Sequence, residues 1–272
     1  MELEVLKQKM NISVIIPTYN RMKYIERAVR SVLNQTYEVD EIIIVDDHSV
    51  DDTASVVSSI HDDRIKYFYL DKNVGAGQAR NYGVSVASGE WIAFHDSDDV
   101  WREYKIEKQV KYISSHNDVE FVYSSYQGGE QITPLKFNMK HYEGKMLDVL
   151  LDRNTVGAPT IMMKRELFDA VGGFDKNMDA LEDWDLALKI AIENKIGFVE
   201  EPLVDVFRVD ESISWNPGDH INMLCYLIGK YKRYYLEYDL FNQSVLKVMD
   251  IAKRRGVEKQ TEQLLTKYLS IF

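Results

Sequence analysis

Two aspartates separated by one serine, Asp96-Ser97-Asp98, follow closely on the apolar run Trp91-Ile-Ala-Phe94. In an extended segment residues i and i+2 point to the same side, so both carboxylates can face one ion. Oxygen ligands suit hard cations, and Mg²⁺ takes one or two protein carboxylates before filling its shell with phosphate and water. An isolated Asp-x-Asp is also compatible with a solvated turn. A second pair, Asp46-Asp47, ends the run Glu41-Ile-Ile-Ile-Val45. Carboxylates there suit either recognition of a base or ribose, or the turn into the next helix, where Asp is favourable anyway. Arg80 lies near the start of a helix entered through Asn73-Val-Gly-Ala-Gly77, a place suited to an anionic ligand. The glycine spacing there is not that of G-x-G-x-x-G. Glu182 and Asp183 open a further helix. One of them can be a general base, or both are ordinary helix-start acids, since Asp179 and Glu182 have capping-box spacing. A helix start would keep such an acid ionised and therefore weakly basic. His95 borders the acidic run and the other histidines are scattered, so each is read as surface or loop.

The elements that must position these groups alternate. Strand signals at Asn11–Ile16, Glu41–Val45, Ile65–Leu70, Glu90–Phe94 and Val119–Tyr123 are separated by helical periodicity at 24–33, 76–87 and 103–115. Ser49-Val-Asp-Asp52 has the spacing of a capping box. This order predicts an α/β protein with a mostly parallel sheet flanked by helices. Ligands in such sheets sit at the carboxyl ends of the strands. Thr18-Tyr19-Asn20, Asp46-Asp47 and Asp96–Asp99 all fall there and can converge on one crevice. Later, 158–163 and 204–209 read as strands and 182–193 as a helix. From about Asp219 the pattern is helical to the end.

The 272 residues carry a net charge of −11. That excludes a general nucleic-acid binder, and it means that a bound diphosphate needs local cations. The single cysteine, Cys225, forms no internal disulfide, no apolar run is long enough to span a bilayer, and the N-terminus does not read as a secretory signal. A cytoplasmic protein is expected, with peripheral contact at the inner face of the membrane as a further expectation.

The stretches Ser13-Val-Ile-Ile-Pro-Thr-Tyr-Asn-Arg21, Ile44-Val-Asp-Asp47, Gly75-Ala-Gly-Gln-Ala-Arg-Asn81, Gly89–Asp99, Gly172-Gly-Phe-Asp175 and Glu182-Asp-Trp-Asp185, taken together and in this order, resemble glycosyltransferase family 2. The resemblance covers residues 11–214 and implies the GT-A (Rossmann-like) fold and inverting sugar transfer from a nucleotide-sugar donor, with UDP favoured. It implies that Pro17, Thr18 and Tyr19 line the base pocket, Asp47 bonds the base, and Arg80 lies near the nucleotide. Asp96 and Asp98 would bind Mn²⁺ or Mg²⁺, Asp98 directly, and Asp183 would be the base with Glu182 beside it. Many relatives carry a histidine where this chain has Asp210. A carboxylate there can still ligate metal, but when ionised it donates no hydrogen bond, which opens the alternative of a non-catalytic nucleotide-sugar-binding relative. An Asp-x-Asp phosphohydrolase would place its nucleophile after the first strand, where this chain has Thr18-Tyr19-Asn20. The processive Gln-x-x-Arg-Trp motif is absent, so single addition to a glycan or lipid-linked acceptor is expected.

The expected organisation is a catalytic domain at 1–217, with a donor half at 11–124 and an acceptor half at 125–217, followed by a helical region at 218–272. Between Asn222 and Arg255 seven basic side chains stand against three acidic ones. Tyr226, Tyr231, Tyr234, Tyr235 and Tyr238 interleave with Lys230, Lys232 and Arg233. Such a helix either lies on an anionic membrane or packs on the catalytic domain or a partner subunit.

Overall fold

The computed structural model describes residues 9–128, 143–207 and 217–271, with the side chains of 217–219 excepted. Asp210 lies outside them. The chain begins β1 (Ile12–Thr18), α1 (Ile25–Leu33), β2 (Glu41–Asp46), α2 (Thr53–Ser58), β3 (Ile65–Tyr69), α3 (Ala76–Val86) and β4 (Trp91–Phe94). Then come β5 (Val100–Trp101), α4 (Lys105–Ser115), β6 (Phe121–Gly128), α5 (Leu147–Asp152), a 3-10 turn (Ala158–Thr160) and β7 (Met162–Lys164). The second half continues with α6 (Arg165–Ala170), α7 (Glu182–Ala191) and β8 (Gly197–Val206). Four helices close the chain: α8 (Pro217–Lys230), α9 (Lys232–Glu237), α10 (Phe241–Arg255) and α11 (Glu258–Ile271).

Among the described residues the strands form one sheet in the order β3-β2-β1-β4-β7-β6-β8-β5. The β3-β2-β1-β4 half is wholly parallel, with Thr18 beside Asp46 and Ile15 beside Phe94. β7 pairs antiparallel with both β4 and β6. β5 is antiparallel to β8, which runs parallel to β6. The expected parallel sheet is thus realised in the first half, while the second half is mixed.

All seven residues of β1 are buried, the burial of a strand covered on both faces. Ile12, Val14 and Ile16 pack with Ile25, Val29 and Val32 of α1 and with Ile106 and Val110 of α4. Ile15 turns to the other face, with Ile43, Val45, Ala79 and Val84. Each such aliphatic side chain contributes roughly 1.5–3 kcal/mol of burial. α3 approaches β1 so closely that a Cβ on Gly83 would lie 2.4 Å from Ile15 Cγ2, and glycine is what permits the contact.

Three local expectations are corrected. α2 starts at Thr53 after Asp52, with no side-chain cap. The Ser49 N–H donates to the Asp46 carboxylate (2.7 Å) and its hydroxyl accepts from Asn20 N (2.8 Å), so it serves the loop. α7 is likewise uncapped by any side chain, its N-cap Leu181 being left-handed at φ 61°. Pro159 sits in a 3-10 turn, and the strand foreseen from residue 158 begins only at Met162.

Candidate functional site

The carboxyl ends of β1, β2 and β4 lie side by side, as parallel register requires. Past β1, Asn20 takes a left-handed φ of 52°. Its carboxamide oxygen accepts from Val50 N (2.9 Å), and Arg21 N donates to the Thr53 hydroxyl (2.9 Å). These bonds stitch the β1 loop to the β2 loop. Pro17 and Thr18 are buried and Tyr19 is 36% exposed at the rim. Among the described residues the buried Thr18 hydroxyl oxygen has no hydrogen-bond partner.

Asp46 turns inward, its carboxylate accepting from the Tyr67 hydroxyl (2.5 Å) and Ser49 N (2.7 Å). Asp47 accepts from Val74 N (2.7 Å) and Gly75 N (2.8 Å). It thereby holds the loop that enters α3, where Gly75 has a φ of 87° that glycine adopts without strain. Burial pushes the Asp47 carboxyl up, against the two amides, which pull it down.

Past β4 the chain delivers Asp96, Ser97, Asp98 and Asp99. Asp98 pairs with Arg21 (Nε to Oδ2, 3.5 Å), and its carbonyl accepts from Arg27 (2.6 Å). Asp99 is almost wholly buried and accepts from Phe207 N (3.0 Å). Burial and the charge of Asp96 push the Asp98 carboxyl up. Burial and the charges of Asp96 and Asp98 push Asp99 further, well above the usual range. These carboxyls disfavour one another's ionised forms, a condition that a cation relieves. Among the described residues, no group of three or more His, Cys, Asp or Glu side chains is arranged to hold a metal ion by itself. One or two carboxylates completed by phosphate and water is the Mg²⁺ type of site, and Asp98 with Asp96 fits it.

One guanidinium joins this cluster to the second half of the chain. Arg80, buried on α3, donates Nη2 to Asp96 (2.6 Å) and Nη1 to Glu182 (2.7 Å), and the two carboxylates hold it charged. Its planar fork meets both, which an ammonium does not do with the same geometry. Beside Glu182, the Asp183 carboxylate accepts from Trp184 N (2.7 Å), Ala158 N (3.2 Å) and Asn154 Nδ2 (3.3 Å). Burial, and then the charge of Glu182, push the Asp183 carboxyl up to about 7, against the pull of Arg80 and the amides. The weakly basic acid expected at a helix start is therefore corrected: in this setting Asp183 is poised to take a proton near neutral pH.

The structure thus brings Asp96, Arg80, Glu182 and Asp183 into one connected site, with Asp98 in the same loop. Pro17, Thr18, Tyr19 and Asp47 line the neighbouring strand ends. Sequence reasoning assigned no role to Arg21, Asp99 or Asn154. The signal available for Asp99 was its place directly after the Asp-x-Asp pair. Asn154 carried none, because its role depends on α5 packing against α7. His95, read as surface or loop, is fully buried, Nε2 to the Ser31 hydroxyl (3.3 Å) and ring against Trp101. Burial and Lys105 push it well below its ordinary value, so it is neutral. In the C-terminal helices Tyr226, Tyr231 and Tyr235 are buried in the core. Tyr238 and Leu236 remain exposed beside Arg233. No helix among the described residues is long and apolar enough to cross a membrane.

The family model described as Glycosyl transferase family 2 matches residues 13–172. An uncharacterized glycosyltransferase of Rickettsia bellii is 33% identical over 228 residues, covering 80% of this chain and 32% of the relative. Two further Rickettsia relatives are covered to 34% and 32%, so the chain spans about a third of the length of these three. The Escherichia coli protein WfgD, named UDP-Glc:alpha-D-GlcNAc-diphosphoundecaprenol beta-1,3-glucosyltransferase, is 32% identical over 195 residues, 69% of this chain and 72% of WfgD. Among solved structures, S. aureus TarS 1–349 in complex with UDP-GlcNAc superposes with a TM-score of 0.66 at 21% identity, over 96% of this chain and 72% of that one. The Pyrobaculum calidifontis mannosyltransferase PcManGT, in complex with GDP-Man and Mn²⁺, gives 0.66 at 20% identity over 97% and 76%. The fold is that of the GT-A structures.

Proposed function

The chain belongs to glycosyltransferase family 2, and from that premise we propose that it is an inverting, single-addition transferase. It moves a sugar from a nucleotide donor, UDP-sugar by preference, to a hydroxyl of a glycan or lipid-linked acceptor in surface polysaccharide or glycoconjugate synthesis. The observation that carries this reading is the Asp96–Arg80–Glu182 chain of ion pairs, which joins the Asp-x-Asp loop to the helix start bearing Asp183. The UDP preference and the acceptor class follow WfgD, whose name specifies a UDP-glucose donor and a lipid-diphosphate acceptor.

In this reading Tyr19, at the rim, stacks on the base, with Pro17 and Thr18 beneath it. Asp47 borders the base, and its carboxylate already accepts two amides, which leaves acceptor capacity for a base N–H. Arg80 lies beside the diphosphate. Asp183 accepts the proton of the acceptor hydroxyl as that oxygen bonds to the anomeric carbon. The carbon–oxygen bond to the diphosphate breaks, and its electron pair leaves with the nucleotide. Asp98 and Asp96 would hold Mn²⁺ or Mg²⁺, with Asp210 as a further ligand; such an ion supplies charge stabilisation to the departing diphosphate.

Calorimetry with UDP-glucose, UDP-GlcNAc and other nucleotide sugars, with and without Mn²⁺, tests the reading. Metal-dependent binding of one donor, lost in Asp98→Ala, is expected. A folded protein that binds none of them refutes it. Donor binding without transfer to any acceptor would instead support the non-catalytic alternative raised by Asp210.

A further inference from the structure

The C-terminal helices meet the catalytic half through charges buried behind the site. Lys230, the last residue of α8, places Nζ 2.6 Å from the Asp175 carboxylate and 2.7 Å from that of Asp185. Asp185 is fully buried and also pairs with Lys189 (3.1 Å). The Tyr231 hydroxyl donates to Asp185 Oδ1 (2.8 Å), and that of Tyr226 to Asp175 (2.9 Å). Two carboxylates face two ammonium groups, so the cluster is neutral as a whole. Lys189 also donates to Gly173 O (2.8 Å), which ties the 173–175 turn to α7.

Both carboxylates belong to segments that build the site. Asp185 lies two residues after Asp183, in the first turn of α7. Asp175 follows Phe174, whose backbone N–H and C=O are both bonded by the Asn81 side chain (2.9 Å each) and whose ring lies 5.5 Å from the Arg80 guanidinium. One ammonium from the C-terminal region therefore clamps the segment carrying Glu182 and Asp183 to the turn that supports Arg80. The Tyr231, Tyr235, Val248, Ala252, Leu265 and Tyr268 side chains share one apolar core with Trp184, Leu186 and Leu188 of α7, so the clamp is set in packed structure. A buried pair is costly to break from one side, because the remaining charge stays uncompensated.

We propose that Lys230 is a positioning residue for the transfer reaction, holding the first turn of α7, and so Asp183, against the site through Asp185 and Asp175. This rests on the reading of Asp183 as the base, and the C-terminal helices are then part of the catalytic apparatus.

The test needs neither donor sugar nor acceptor. Trp184 adjoins Asp183, and the pH titration of tryptophan fluorescence that is present in the full chain and absent from Asp183→Asn reports ionisation of that carboxyl. In Lys230→Met a loosened first turn hydrates Asp183, and the midpoint falls by about one pH unit or more, a tenfold change in acidity. Loss of a cation without movement would raise the midpoint instead, so the sign separates positioning from simple electrostatics. Lys230→Arg, which keeps the charge, is expected to restore much of the wild-type midpoint. Calorimetric UDP affinity in Mn²⁺ is expected to stay within about twofold of wild type, about 0.4 kcal/mol. A midpoint that is unchanged or raised, or UDP binding lost in parallel, overturns the proposal while the base reading stands. A titration that survives in Asp183→Asn removes the base reading, and the proposal with it. If Lys230→Met fails to fold, Tyr231→Phe, which deletes only the hydroxyl donated to Asp185, is expected to shift the midpoint downward by less; no shift there overturns the proposal.

Discussion

If Asp183 is held as described, replacing it by asparagine should stabilise the protein at alkaline pH while abolishing transfer. Its carboxyl is raised from an ordinary 3.8 to about 7, chiefly by burial and then by Glu182. Between those values the folded chain retains a proton that the unfolded chain has released. The associated stability is complete below about pH 4 and is lost as the pH rises through 7, by up to ~4 kcal/mol at 1.36 kcal/mol per pH unit. Asparagine carries no charge and escapes that loss. Against the gain, its carboxamide has one accepting oxygen and a nitrogen that only donates, so Trp184 N and Ala158 N cannot both be satisfied, and one unsatisfied N–H costs ~1–2 kcal/mol. The balance at pH 8 is a stabilisation of ~2 kcal/mol, or ~4–8 °C in melting temperature for a chain of this size. At pH 4.5, less than one unit above the ordinary carboxyl value of 3.8, only ~1 kcal/mol of the gain remains and the lost acceptor leaves Asp183→Asn equal to wild type or ~1 kcal/mol less stable. Thermal melts of both proteins across pH 4.5–8 measure the difference. A variant that melts at or below the wild-type temperature at pH 8 refutes the reasoning. For the wild type, the transfer rate should rise with pH and level off above about 7 as the base ionises.

Arg80→Met leaves Asp96 and Glu182 without their shared cation; a loss of ~2–4 kcal/mol in urea unfolding is expected, discounted from the ~3–5 kcal/mol of a broken buried pair because both carboxylates are partly exposed. Gly83→Ala drives a Cβ into Ile15 and should cost ~1–3 kcal/mol in the same assay; an unchanged midpoint would show that α3 moves away freely. Flotation with anionic vesicles tests the membrane expectation. Lys230 is engaged internally, so Lys232→Glu with Arg233→Glu is the informative variant: wild type should float and the variant should not, and a wild type that stays down refutes the expectation.

The parallel half of the sheet was legible because β1 and β2 are buried on both faces and read as unbroken apolar runs. The ends of β1, β2 and β4 carry Thr18, Asp47 and Asp96 for a related reason: parallel strands bring their carboxyl ends to one rim. The mixed half was less legible, since β5 has two residues and β7 three, too few for any periodicity. Ser49 and Asp179 show why cap spacing misleads in such places, as tertiary bonds claimed the loop of one and a left-handed Leu181 opened the helix of the other. The basic, aromatic C-terminal stretch left two readings open, a membrane face or packing on the catalytic domain. Its tyrosines and Lys230 serve buried partners contributed by α7 and the 173–175 turn, and one-dimensional spacing does not reveal those partners.

The same burial that hides such partners also creates the chemistry. Asp96, Asp98, Asp99, Glu182 and Asp183 converge, while the guanidiniums paired with them belong to Arg80 and Arg21. The described carboxyls outnumber the cations that face them, and three are pushed up, first by burial and then by their neighbours' charges. At Asp183 burial and the Glu182 charge suit the proposed base role, because an elevated carboxyl is a stronger base. At Asp98 and Asp99 the proposed divalent ion would relieve the imbalance, and it would also answer the proposed anionic donor in a chain of net charge −11. Arg80 is the element common to both demands. Its charge lowers Asp183 and pairs Asp96 at once, so the ionisation of Asp183 and the charge of the Asp-x-Asp loop are linked through one guanidinium.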